Sequence, residues 1–210
     1  MTATERKPRP AAHRGGDART EAAILGAAEK IFSDKGFFDA TVADIVSKAG
    51  VSRGTFYFYF QDREDVFLAL LTTIVDEMFV LPAEHGGSFE DRVERANRSY
   101  LEAFRNHGAF MRCALQMATY NQDASTALND LRGRFLERLR SHLERAKAAG
   151  RCHDFDVRIA SYAIVMMVEF FAYSWLSFGW NLDEGDFEFE AVAKELSAMW
   201  CRAIYKPSVS

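Results

Sequence analysis

The chain has 210 residues, 49% of them hydrophobic and 27% charged, with a net charge of −4. That places it among soluble globular proteins with one or two small domains, and it excludes a uniformly basic nucleic-acid binder. The cysteines Cys113, Cys152 and Cys201 are odd in number and far apart, with no CxxC pair. A disulfide framework is therefore not expected, and a reducing cytoplasm is. The charge is unevenly spread. Met1 to Arg63 carries ten Lys/Arg against eight Asp/Glu, while the remainder carries 16 against 22. An acidic body repelled by phosphate would hold only the N-terminal face toward DNA.

In chain order, residues 1–18 are rich in Arg, Lys, Pro, Ala and Gly without an apolar period, and read as a disordered basic arm. They lack the apolar run of a signal peptide. From Arg19 a helical pattern begins, with Ile24, Ala28, Ile31 and Phe32 on one face, and Gly36 is expected to cap its end. Thr41, with Asp44 three residues on, opens a second helix whose inner face is Val42, Ile45, Val46 and Ala49. Gly50 permits a sharp turn, and Ser52 caps a very short third helix from Arg53 to about Tyr57. Asp62 caps a long fourth helix from about Arg63 to Leu81, where Pro82 ends it.

Helical patterns continue at Phe89–Asn106, Ala109–Tyr120, Ser125–Ala149, from Asp154 or Asp156 to about Phe178, and Phe187–Tyr205. No strand alternation and no repeat appears. The expected fold is all-α with about nine helices: an arm (1–18), a helix-turn-helix domain (19–65) and a larger helical body (66–210). Ala163 to Trp180 has the length of a membrane span, but Glu169 lies at its centre, where a charge costs roughly 3 kcal/mol. A buried core helix is expected instead of a span.

The segment from Thr41 to Asp65, TVADIVSKAGVSRGTFYFYFQDRED, carries the functional argument. Two short helices around Gly50 form a helix-turn-helix. The second is too short to survive alone, so Val51, Phe56 and Phe60 must hold it by packing. Arg53, Gly54, Thr55, Tyr57 and Tyr59 then face outward, a mixture of a cation, small residues and hydroxyls suited to the major groove.

This stretch resembles the DNA-binding domain of the TetR family. Ala49-Gly50-Val51-Ser52, Gly54-Thr55, Tyr57, Tyr59-Phe60 and Arg63 stand where the family's signature has them, with Arg63 in a place where the family often has Lys. The resemblance is most specific over residues 20–68. It implies that Thr41 binds phosphate through its hydroxyl and backbone N–H. It further implies that Arg53 reads guanine, that Ser52 and Thr55 touch base edges or phosphate, that Tyr57 and Tyr59 donate to phosphates and that Arg63 clamps the DNA backbone. Packing roles for Tyr57 and Tyr59 stay open, and Phe58 reads as packing or a sugar contact.

For the body, the resemblance implies dimerisation through the last two helices. Ile159, Tyr162, Met166, Val192, Leu196, Met199 and Trp200 are the expected interface residues. It also implies a pocket for a small apolar effector among the middle helices. Its candidate lining is Phe104, Phe110, Met111, Met117, Tyr120, Met167, Phe170, Phe171 and Trp175, since aromatics and methionines repack around an apolar guest. Asn121 and Gln116 are further polar candidates. Three readings stay open for Glu169: a ligand contact, an ion pair with an arginine such as Arg112, or a place at the dimer seam.

No Gly-rich phosphate loop, HExxH or G-x-S-x-G occurs, so no enzyme is expected. Neither is a cofactor, a metal or a membrane partner. Cys152-His153 with Asp154 and Asp156 reads as a loop and helix cap, without a second ligand cluster. The expected function is a cytoplasmic repressor that a small effector releases from a palindromic operator on double-stranded DNA. The alternative is a helical carrier or enzyme that keeps the helix-turn-helix as scaffold.

Overall fold

A computed structural model describes residues 16–78, 89–179 and 187–206. Among them are eight α-helices. The first four are α1 (Gly16–Asp39), α2 (Val42–Ala49), α3 (Arg53–Tyr59) and α4 (Arg63–Met78). The rest are α5 (Phe89–Ala118), α6 (Gln122–Ala148), α7 (Val157–Ala172) and α8 (Phe189–Ile204). The one β-type pairing among the described residues is a bridge between Cys152 and Tyr205. The chain divides into two compact units between Thr72 and Thr73, within α4. The basic arm falls mostly outside the described residues; its last three positions, 16–18, belong to α1.

The first unit follows its capping signals. Gly36 leaves helical geometry at φ 76, so α1 is kinked there and a further turn runs on to Asp39. Thr41 and Asp44 complete a reciprocal capping box at α2. Gly50 adopts the left-handed conformation at φ 68, which a side chain would strain, and its N–H returns to the Val46 carbonyl. Ser52 caps α3 by accepting from the Thr55 N–H. Asp62 caps α4 in the same way, accepting from Asp65 N at 2.8 Å. Ile24, Ala28, Phe32, Ile45, Phe56, Phe60 and Phe67 fill the core of this unit. Phe32, Phe37 and Phe67 pack edge-on or stacked, with centroids 5.1–5.8 Å apart.

In the second unit α5 packs on α6, α7 and α8. Its apolar stripe at Val93, Tyr100, Leu101 and Phe104 is buried. Asn97 ties α5 to α8 inside the core, donating to Ser197 Oγ at 2.8 Å. The loop after α6 is laced to the end of α8 by His153 N to Ile204 O and Lys206 N to Arg151 O, each 3.0 Å.

The break expected between Asn106 and Ala109 does not occur; α5 runs unbroken for 30 residues. Gly108 serves close approach instead. Helix α7 continues into a π-helical turn, Tyr173–Ser177, whose carbonyls face α5. A Cβ at Gly108 would lie 2.8 Å from the Leu176 carbonyl oxygen, and Arg112 donates to the Ser177 carbonyl. Wide π-turns mark places where helix register is adjusted for such contacts.

Gly108→Ala should therefore lower stability by about 1–3 kcal/mol, because backbone stands in the way of the methyl group. Gly133→Ala, on α6 with nothing within 4 Å of the new Cβ, should raise it by about 0.5–1 kcal/mol through helix propensity. Thermal unfolding of the two variants side by side checks both signs.

Candidate nucleic-acid interface and effector cavities

Helix α3 is seven residues long, below the length at which a helix stands alone in water. Phe56 and Phe60 are fully buried with their rings 5.8 Å apart, and this anchors it. The same anchoring turns Arg53, Gly54, Tyr57 and Phe58 to solvent; Tyr57 is 56% and Phe58 60% exposed. Phe58, read from sequence as packing or a sugar contact, thus stands in the open on the exposed face of α3. Thr55 and Tyr59 are half-buried. Ser52 Oγ and Thr55 Oγ1 share a hydrogen bond of 2.8 Å, which fixes both hydroxyls at the N-terminus of α3. An exposed cation, a pair of fixed hydroxyls and two exposed rings suit groove and phosphate contacts.

Two expected phosphate ligands are otherwise engaged. The Thr41 hydroxyl donates to Asp44 Oδ2 at 2.8 Å, and the Thr41 N–H donates to the same carboxylate oxygen at 3.0 Å. Lys35 sits 2.8 Å from the other oxygen. Its bond and that of Thr41 hold the Asp44 carboxyl below the usual carboxylate range. Thr41 is thus committed to starting α2. Arg63 turns inward: it donates to the carbonyls of Phe38 at 2.9 Å and Ala40 at 2.5 Å, and lies 4.4 Å over the Phe37 ring. The clamp expected on DNA is a clamp within the protein, because the end of α1 leaves carbonyls that need donors.

The body holds two adjoining cavities. The larger, about 470 Å³, is floored by Val93, Ile164, Val165, Val168 and Trp200. The smaller, about 240 Å³, is lined by Val75, Phe104, Met111, Leu128 and Phe170 among others. Met78, Tyr100 and Glu169 border both. Of the expected lining, Phe104, Met111, Glu169 and Phe170 are brought together here. Phe110 and Met117 are buried but line neither cavity, and Tyr120 is 78% exposed. Met167 packs on the core around Leu143 and Trp200. Phe171 and Trp175 pack edge-on or tilted against each other and Phe187 instead. Asn121 caps α6 by accepting from Ala124 N, and Gln116 is exposed. Tyr100 and Met78, which sequence reasoning missed, are central. Tyr100 shares a helical face with Val93 and Phe104, and that spacing was the available signal.

Glu169 pairs with Arg132, not Arg112. The contact is a two-pronged fork, Nε to Oε2 at 2.8 Å and Nη2 to Oε1 at 2.5 Å. It answers the cost of a carboxylate in an apolar helix. The hydrogen bond to Glu169 raises the Arg132 pKa further. Burial, then the Glu169 charge, pushes Tyr100 well above the ordinary phenol value, so it remains a donor.

Helix α7 and its π-turn, Val157–Ser177, are long and apolar enough to cross a membrane by length and composition. Their apolar surface is divided: Ile164, Val165, Val168 and Ala172 are buried, whereas Ile159, Tyr162, Met166 and Phe170 are 37–69% exposed. The expected interface divides likewise. Ile159, Tyr162, Met166 and Met199 face solvent, but Val192, Leu196 and Trp200 are buried within the chain. Those three lie on the face of α8 that meets α5, so their place is in the subunit core. The three cysteines are buried thiols outside any disulfide; burial pushes the Cys201 thiol up to about 12.

Comparison with known proteins bears on both units. Residues 24–70 match the family described as bacterial regulatory proteins, tetR family, and residues 86–204 match the tetracyclin repressor-like C-terminal domain. The chain is 38% identical over 113 residues to the HTH-type transcriptional regulator EthR of Mycolicibacterium smegmatis, which is 50% of this chain and 48% of that one. It is 45% identical over 69 residues to EthR of Mycobacterium tuberculosis (strain ATCC 25618 / H37Rv), covering 33% and 32%. The chain thus spans half or less of the length of these relatives. Its fold is similar to that of NalD, the secondary repressor of the MexAB-OprM multidrug efflux pump in Pseudomonas aeruginosa. The TM-score there is 0.70 at 20% identity, over 90% of this chain and 98% of that one.

The Arg132–Glu169 pair, with side chains 25% and 22% exposed, makes a signed prediction. Arg132→Met alone should destabilise by about 2 kcal/mol, because it leaves the carboxylate without its fork. The double change Arg132→Met with Glu169→Met should cost less than the single one. Chemical denaturation of the three proteins measures the coupling.

Proposed function

As the chain belongs to the TetR family of bacterial regulatory proteins, we propose that it is a homodimeric transcriptional regulator in the cytoplasm. On this reading it is a repressor that a small, largely apolar effector releases from a palindromic operator. The observation that carries the reading is α3: Ser52 caps it, Phe56 and Phe60 anchor it, and Arg53, Gly54 and Tyr57 stand exposed. Arg53 reads a base edge, Tyr57 contacts phosphate, and Ser52 and Thr55 supply the fixed hydroxyls between them.

One such head is a weak reader; two heads on half-sites about one DNA turn apart give both affinity and palindromy. The exposed stripe Ile159, Tyr162, Met166 and Phe170, at spacings of three and four along α7, with Met199 on α8, supports the subunit contact. Large apolar side chains grouped in this way mark an interface.

Control runs through α4. This one helix supplies Arg63 to the first unit and Val75 and Met78 to the cavity walls. An effector that packs against its C-terminal turns biases the position of its N-terminal end. A near-complete switch requires the effector to favour the released form by roughly 5 kcal/mol, and operator must weaken effector binding by the same factor.

Duplexes selected from a random library supply the operator for the test. Arg53→Ala should relax preference at one position per half-site by about 1–3 kcal/mol. A uniform loss over all variant duplexes would assign Arg53 to phosphate instead. Ile159→Glu combined with Tyr162→Glu should yield monomers by sedimentation and a steep drop in operator affinity. Dimers that persist in this variant would place the subunit contact elsewhere.

A further inference from the structure

The mouth and the floor of the larger cavity differ in chemistry. The floor is apolar and buried. The mouth is one face of α6, where Arg138, Ser141, His142 and Arg145 line the cavity at spacings of three, four and seven residues. Arg138 and Arg145 are exposed and two helical turns apart, about 10 Å along the axis. Arg92 of α5 contributes a further cation to the same lining.

The acids at this cavity already have partners. Glu169 is held by the Arg132 fork, and Glu137 accepts from Arg140 at 3.2 Å. His142 is hydrogen-bonded to the Tyr205 hydroxyl at 2.8 Å. Arg138 and Arg145 make no ion pair or side-chain hydrogen bond among the described residues. Among the described residues, the cavity therefore presents two uncommitted guanidinium groups over an apolar floor, and no uncommitted carboxylate that would welcome a cation. Past Tyr100 and Met78, the smaller cavity extends the apolar lining.

We propose that the larger cavity binds an anionic amphiphile, its apolar chain on the floor toward Tyr100 and its carboxylate or phosphate head between Arg138 and Arg145. Guanidinium forks match both head groups in shape and charge, and the volume suits a small ligand. The role of such a molecule as effector rests on the function proposed above; its binding does not.

Isothermal titration of the full chain without DNA separates the two. The probes are decyl phosphate, decanoate, decanol and decyltrimethylammonium, each below its micellar concentration. At least one anionic probe should bind tenfold or more tightly than decanol and the cation, and its affinity should fall with salt. The phosphate-to-carboxylate ratio identifies the head. Arg138→Gln with Arg145→Gln, both at exposed positions and so compatible with an unchanged melting temperature, should weaken the anions about tenfold or more and leave decanol within twofold. Equal binding of cation and anion, equal binding of decanol and anion, or unchanged anion affinity in the variant would each overturn the proposal. Operator binding is titrated separately, with and without the best anion. Tight anion binding without operator release upholds the site and refutes its effector role. Operator release by decanol in the absence of anion binding does the reverse.

Discussion

A helix of seven residues cannot pay its own ordering entropy in water. The surface that meets DNA on our reading exists only because Phe56 and Phe60 are buried against the first unit's core. Those two rings fix the rotation of α3, and rotation decides which side chains face out. Ser52 fixes where the helix starts. Arg63 closes the other side by holding the carbonyls at the end of α1 and at Ala40. Three devices thus convert a short, weak helix into a rigid one, and a rigid presentation is what direct readout of base edges requires.

The second unit solves a different problem. Helix α7 places a carboxylate among apolar residues, and Arg132 meets it from α6 with both prongs. With that charge neutralised, the space between α5, α6 and α7 stays apolar at depth and basic at its rim. The gap itself reflects the unbroken course of α5. Gly108 lets the π-turn after α7 come against its backbone, while Phe104 and Tyr100, one and two turns earlier, face the cavities. Close contact at one end and open space further along belong to the same helix.

Both units match family models, over residues 24–70 and 86–204, and the nearby relatives share 38–45% of aligned residues. NalD, at 20% identity over most of the chain, shares the fold alone. On our reading the first unit answers to DNA geometry, and the body to its own packing and whatever fills its cavities.

Apart from α5, which was read as two helices, helix order and caps were legible from the sequence, because they depend on neighbours within four residues. Thr41 with Asp44, Ser52, Asp62, Asp156 and Gly50 all act where their spacing placed them. The outward face of α3 was legible in part: Phe56 and Phe60 are four apart and leave Arg53 and Tyr57 on the other side, but Tyr59 is half-buried and Phe58 exposed. What depended on distant chain was not. Arg63 carries the same charge whether it faces a phosphate or a carbonyl, and only the return of α1 beneath it decided. Glu169 needed an arginine, and its choice of Arg132 over Arg112 followed from which helix lies opposite. Aromatic and methionine stripes look alike in sequence whether they fill a core, line a cavity or face solvent. Phe110, Phe104 and Tyr120 took those three places because burial is set by the helix packed against each residue, and no local pattern encodes it.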